Sequence, residues 1–211
     1  VSAFHSLPHV PSSQPTARSV PGASFTSRAQ RLKAATDQAH RRVDARILEM
    51  DIFASRAAFA RFVRVQHRLH ADVQGLYACP DILQRLPSVQ GRQRIALIER
   101  DLADLAADAP ADHTADPVAG PLAYRLGWLY VVEGSALGGA VILKMAARLG
   151  LHPHFGARHL APAQEGVATA WRTFTAELDA IALDERQEAL LLQGADAAFE
   201  RVARYVADAF D

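Results

Sequence analysis

The sequence is short of most features that would point to a particular partner. Cys79 is its one cysteine, so no disulfide can close within the chain, which fits a reducing cytoplasm better than an oxidising compartment. Basic and acidic residues balance at 23 each, and overall charge therefore gives no case for nucleic acid or an anionic membrane surface. Lysine is scarce: Lys33 and Lys144 are the only two, and every other basic residue is arginine. No segment alternates as a half-buried strand does, and no repeat or heptad run is present. The one stretch resembling a membrane span carries Glu133 near its centre, with Arg125 and Lys144 close by; a charge there costs about 2.5 to 3.5 kcal/mol in a bilayer. It reads as a core helix.

What is present is a chain of ordinary hydrophobic content, 50%, long enough for one sizeable core. Residues 1–26 hold Pro8, Pro11, Pro15 and Pro21 among serines, without an acid or a helical period. They are expected to form a disordered N-terminal extension, lacking the continuous apolar region of a secretory signal. From Ser27 the pattern changes. Ser27 and Gln30 have capping-box spacing, and Leu32, Ala35, Ala39, Val43 and Ile47 follow at helical spacing, predicting a helix over 28–49. Further helices are predicted over 56–78, 90–107, 121–149, 164–182 and 184–209, with loops at 108–121 and 151–164. The expected fold is all-α: a single domain over 27–211 of about six to eight helices. Charge is uneven along it, since the segment from Arg28 to Arg46 is basic and that from Glu99 to Asp116 acidic.

The most apolar helix holds an anomaly. "LYVVEGSALGGAVILK" carries Gly134, Gly138 and Gly139 in its middle, each costing a helix interior roughly 0.5 to 1 kcal/mol relative to Ala. With Gly127 they line one stripe. Such a stripe admits either a second helix in close contact or a flat ligand against bare backbone. The pattern is not a phosphate loop, because no strand precedes it and no Gly-Lys-Ser/Thr follows.

Two motifs favour the ligand. "RLGWLYVVEGSALGGAVILK" resembles the distal helix of heme oxygenases, and "RLKAATDQAHRRVD" resembles the amino-terminal helix that carries the haem-ligating histidine in that family. The likeness continues through "ARFVRVQHRLHADVQGLY" and "LGLHPHFGARHL", is nearest the short soluble bacterial iron-acquisition branch, and covers Arg31 to about Phe210. It implies haem b sandwiched between a proximal helix and a glycine-kinked distal helix, both as cofactor and as substrate, opened with O2 to biliverdin, ferrous iron and CO. It makes His40 the iron ligand, a role suited to a neutral imidazole, with its other ring nitrogen hydrogen-bonded. Gly134, Ser135, Gly138 and Gly139 become the distal site. Ser135 stands where some members carry Asp, so that residue's water-ordering role does not transfer.

The resemblance also assigns Lys33, two turns before His40, and Tyr130 to haem propionates, with Lys144 as a further candidate. Members with a basic residue and a tyrosine at those two places seat haem for α cleavage, so biliverdin IXα is expected. Glu133 is expected to be a structural hydrogen-bonding group. The implied partner is a soluble electron donor, a ferredoxin or an NADPH-dependent reductase, for which the Arg28–Arg46 segment offers a basic face. A cytoplasmic monomer is expected, serving iron acquisition or bilin supply. The alternative is a haem carrier or sensor that uses His40 without turnover.

Overall fold

The computed structural model describes residues 27–110 and 115–209; the extension expected over 1–26 lies outside them. Among the described residues the architecture is helical, without a strand. The α-helices are α1 (Arg28–Glu49), α2 (Arg56–Val73), α3 (Pro80–Leu83), α4 (Ile95–Asp104), α5 (Leu122–Ala146), α6 (Val167–Ala180) and α7 (Glu185–Asp208).

Side-chain caps start three of these helices. The Ser27 hydroxyl accepts from the Gln30 amide at the start of α1, and Ser55 from Ala58 at the start of α2. A reciprocal capping box of Asp184 and Gln187 opens α7. The predicted second helix is α only to Val73 and then tightens to a 3₁₀ turn over Gln74–Ala78. The third starts at Ile95 rather than 90, because the chain first passes Gly91 at φ 77°, a left-handed conformation that a helix start cannot contain. Short 3₁₀ turns at Pro87–Val89 and Arg158–Leu160 lie in segments that read as loops.

The core is built around α5 and α7. Ala123, Leu126, Trp128, Leu129 and Val132 of α5 and Leu191, Ala195, Ala198 and Val206 of α7 are all buried. α7 packs against both α5 and α1, while α2 packs on α4 and α7. With its 3₁₀ extension, α5 is the one described helix long and apolar enough to cross a membrane, and half of its apolar window is buried within the protein.

Two buried charges tie the helices together. Asp72 of α2 accepts from Arg201 and Tyr205 of α7 and from the Asp116 amide. Arg28 at the head of α1 is buried; its guanidinium bonds Glu188 and the carbonyls of Leu178 and Ile181, and its amide bonds Asp179. Each guanidinium nitrogen finds an acceptor, as a buried charge requires, so Arg28 fixes α1 to the α6–α7 corner.

Candidate functional site

The glycine stripe divides into two parts. At Gly127 a Cβ would overlap the Leu191 carbonyl and lie 2.6 Å from the Ala195 nitrogen; at Gly194 of α7 it would overlap the Tyr124 carbonyl. These two glycines let α5 and α7 touch backbone to backbone. Gly138 is the opposite case, since a Cβ there meets nothing within 4 Å. At Gly134 it would come 3.3 Å from the Trp171 ring, and at Gly139, which is buried, 3.5 Å from Leu160. Gly127 therefore serves packing, Gly138 is exposed backbone, Gly134 lies at the border on Trp171, and Gly139 is buried where an added Cβ would make ordinary contact with Leu160. The helix runs unbroken through all four.

Past Gly134 the helix leaves the core. Residues 126–132 are buried without exception, but Ser135, Leu137, Gly138, Val141 and Lys144 are exposed. Among the described residues, Leu137 (40%) and Val141 (52%), with Leu48 (50%) near the end of α1, are the large hydrophobic side chains exposed to solvent. A soluble surface leaves such apolar side chains beside bare backbone where something apolar docks. The Ser135 hydroxyl donates to the Val132 carbonyl at 2.7 Å, satisfying backbone inside the helix while its oxygen can still accept.

His40 stands on the outer part of α1 with its side chain 60% exposed. Its Nδ1 lies 3.1 Å from Asp44 Oδ2 one turn on, and the edge of Phe199 of α7 meets the ring at 5.8 Å between centroids. One ring nitrogen is thus oriented by a carboxylate, the ring is steadied by an aromatic side chain, and Nε2 has no protein partner among the described residues. Nε2 is thereby left available to a ligand. Partial burial raises the Asp44 carboxyl, with His40 opposing.

Tyr130 is buried, its ring 5.4 Å from that of Trp171, and its hydroxyl donates to the Ala29 carbonyl at 3.3 Å. Burial pushes its ionisation up to about 12, so the hydroxyl remains a donor. Ala29 is one turn before Lys33, and the tyrosine tip therefore reaches α1 near that lysine. Lys33 and Lys144 are exposed and make no ion pair with another described residue. Of the residues singled out from sequence, Tyr130 and Gly134 are joined through Trp171, while Lys144 lies at the far end of α5. Asp44, Phe199 and Trp171 were missed. The i, i+4 spacing of His40 and Asp44 could have revealed the first; the other two come from distant helices and leave no local signal.

Two other histidines are buried. His159 is buried, with Nδ1 2.8 Å from the buried Asp101, and Arg94 donates to its carbonyl. This fixes the 3₁₀ turn that carries Leu160 to Gly139. His70 is buried and pushed down to about 3, first by burial and then by Arg94, His159 and His67. An unfolded chain protonates this ring below about 6.5 and the folded one does not, so stability is intact above that pH and lost as pH falls toward 3. At pH 5 the loss is roughly 2 kcal/mol. The melting temperature should fall more between pH 7 and pH 5 in the wild type than in His70→Gln; equal falls would remove His70 as the cause.

A groove of about 430 Å³ between α2 and the end of α7, lined by Arg61, Arg64 and Arg68, shares none of these residues. Arg68 pairs with Asp208 there and Arg64 bonds the Asp108 carbonyl.

An exposed histidine paired with a carboxylate lies on α1 and an apolar stretch with bare glycine backbone on α5, and similarity to known proteins assigns the chain to a family. The heme oxygenase family model matches residues 26–208. Heme oxygenase PigA of Pseudomonas aeruginosa is 41% identical over 175 residues, 82% of this chain and 88% of that protein. A heme oxygenase of Neisseria meningitidis, solved with NO and CO bound, superposes with a TM-score of 0.83 at 32% identity, covering 88% of this chain and 93% of that one. The heme oxygenase of Leptospira interrogans shares the fold at a TM-score of 0.69 and 15% identity, over 87% and 100% of the two chains. Matched in sequence and fold over nearly all its described length, the protein belongs to the heme oxygenase family, oxidoreductases that degrade haem to biliverdin.

Proposed function

We propose that this protein binds haem b between α1 and the 134–145 stretch of α5, with His40 on the iron, and opens the ring at its α carbon. The observation that carries the site is His40 itself: exposed, held at Nδ1 by Asp44 and steadied by Phe199, with Nε2 directed at no other residue. Haem supplies the iron that activates O2, and the ring is the substrate, leaving as biliverdin, ferrous iron and CO. The protein's part is to bind, orient and wall. Gly138 and Gly134 bring backbone rather than side chain to the distal side, Leu137 and Val141 offer apolar surface, and Ser135 retains an acceptor oxygen for ordered water. Glu133, the acid of α5, is engaged on the core side by Tyr77 and Arg92.

Seating in the ring plane falls to Lys33 and Tyr130. An ammonium and a neutral hydroxyl, both donors, suit a propionate carboxylate, and the long bond from Tyr130 to Ala29 can be exchanged for a charge-assisted one. A soluble ferredoxin or NADPH-dependent reductase would dock on the outer face of α1, where Arg41, Arg42 and Arg46 are exposed, Arg41 beside Asp37 and Arg46 beside Glu49. Arg28 is withdrawn from that face by burial, and Arg31 pairs with Glu188. The protein acts as a cytoplasmic monomer, for iron acquisition or bilin supply.

Haem titration followed by electron supply in air tests the reading. A Soret band should form and then bleach as biliverdin appears; a band that survives reduction in oxygen would make the protein a carrier. Chromatography of the product should give the α isomer. Lys33→Asn combined with Tyr130→Phe should admit other isomers with the Soret band unchanged, and a wild type yielding mainly β or δ product would overturn the seating.

A further inference from the structure

We propose that Glu133 is a positioning residue for the distal wall, a clamp applied from the core side that fixes where α5 emerges beside the haem; the inference rests on the haem reading above. Glu133 is the last residue before the helix passes from its buried half to its exposed half, and its side chain is 10% exposed. Both carboxylate oxygens are taken, each by a different segment. The Tyr77 hydroxyl donates to one at 2.7 Å and Arg92 to the other at 3.0 Å, while a second Arg92 nitrogen reaches Glu165 at 3.4 Å. Tyr77 is buried, and burial with the neighbouring Glu133 charge holds its ionisation well above the ordinary value, so it stays a donor. A carboxylate satisfied on both oxygens away from water resists displacement.

The location gives the clamp its effect. Gly134 follows immediately, with Gly138 and Gly139 beyond, so the stretch after Glu133 has the least intrinsic helical stiffness in α5. A shift at Glu133 passes directly to the Gly134 backbone, which has only Trp171 against it. The far end of the stretch is also held: Arg56 donates to the Leu149 carbonyl at 2.9 Å and lies over the Phe155 ring at 5.4 Å. The distal wall is therefore a span tied at both ends, and the Glu133 end lies beside the glycines.

Glu133→Gln preserves shape and an acceptor for Tyr77 but removes the charge that Arg92 faces, and Arg92→Gln removes it from the other side. In the haem-free protein, amide exchange over 134–145 should quicken about tenfold in either variant, with 122–132 and α7 unchanged. In the haem complex the isomer ratio should broaden. Exchange that is unchanged, or that rises equally across α5 and α7 with a matching fall in melting temperature, would reduce Glu133 to a general stability contact and overturn the proposal. A wild type that forms no Soret band would overturn the haem reading instead, while local quickening of exchange would still identify Glu133 as the clamp of the span.

Discussion

Gly194→Ala should weaken the fold severely, and Gly138→Ala should not. The added methyl at Gly194 falls on the Tyr124 carbonyl, 2.8 Å from its carbon and nearer still to its oxygen. Both atoms are backbone and cannot rotate away, so α5 and α7 must separate along the most extensive helix contact in the protein. Overpacking of this kind costs about 3 kcal/mol, or a fall in melting temperature of roughly 6 to 12 °C for a domain of this size. Gly127→Ala meets the same crossing from the other side and should behave alike. At Gly138 the methyl enters open space, and the apo protein should gain about 0.5 to 1 kcal/mol from helix propensity alone. Gly138→Leu should leave the apo melt no lower yet abolish biliverdin formation by filling the distal face. Thermal melts with and without haem, set beside turnover, separate the two roles. Normal turnover by Gly138→Leu would remove that glycine from the site.

The second large effect is expected at His40. His40→Ala should lose the six-coordinate ferric haem spectrum and lower turnover at least about 100-fold, while Asp44→Asn, which keeps the ring but loosens its orientation, should cost about tenfold. No other described histidine is placed to substitute. His70 and His159 are enclosed in their own network, His67 lies on α2 facing Glu99, and His152 and His154 lie beyond the end of α5. Added imidazole should restore part of the spectrum, because Phe199 and the distal glycines remain in place. An unchanged spectrum in His40→Ala would mean that the iron is held elsewhere.

What could be read from the sequence follows the range of each interaction. Helix identity and most boundaries were legible because periodicity and caps act within a few residues: Ser27 begins α1 as its side chain demands. The late start of α4 was not, since it depends on the conformation that Gly91 adopts. His40 and the glycines after Glu133 were singled out by the resemblance of paired motifs, yet spacing placed Gly127 in the same stripe as Gly138. Only the position of Gly194, in another helix, separates a packing glycine from an exposed one. Arg28 shows the same limit: in sequence it belongs to a basic run, and in the fold it is a buried staple.

α7 is in contact with both α1 and α5. Gly194 seats it on α5, and Phe199, a rise of about 7.5 Å further along the same helix, stands beside His40. Under the proposed reading, one helix therefore sets the positions of both elements that would face the ring. A substitution that pushes α7 away from α5 carries Phe199 with it, so Gly194→Ala should disturb the surroundings of the His40 ring as well as lower stability.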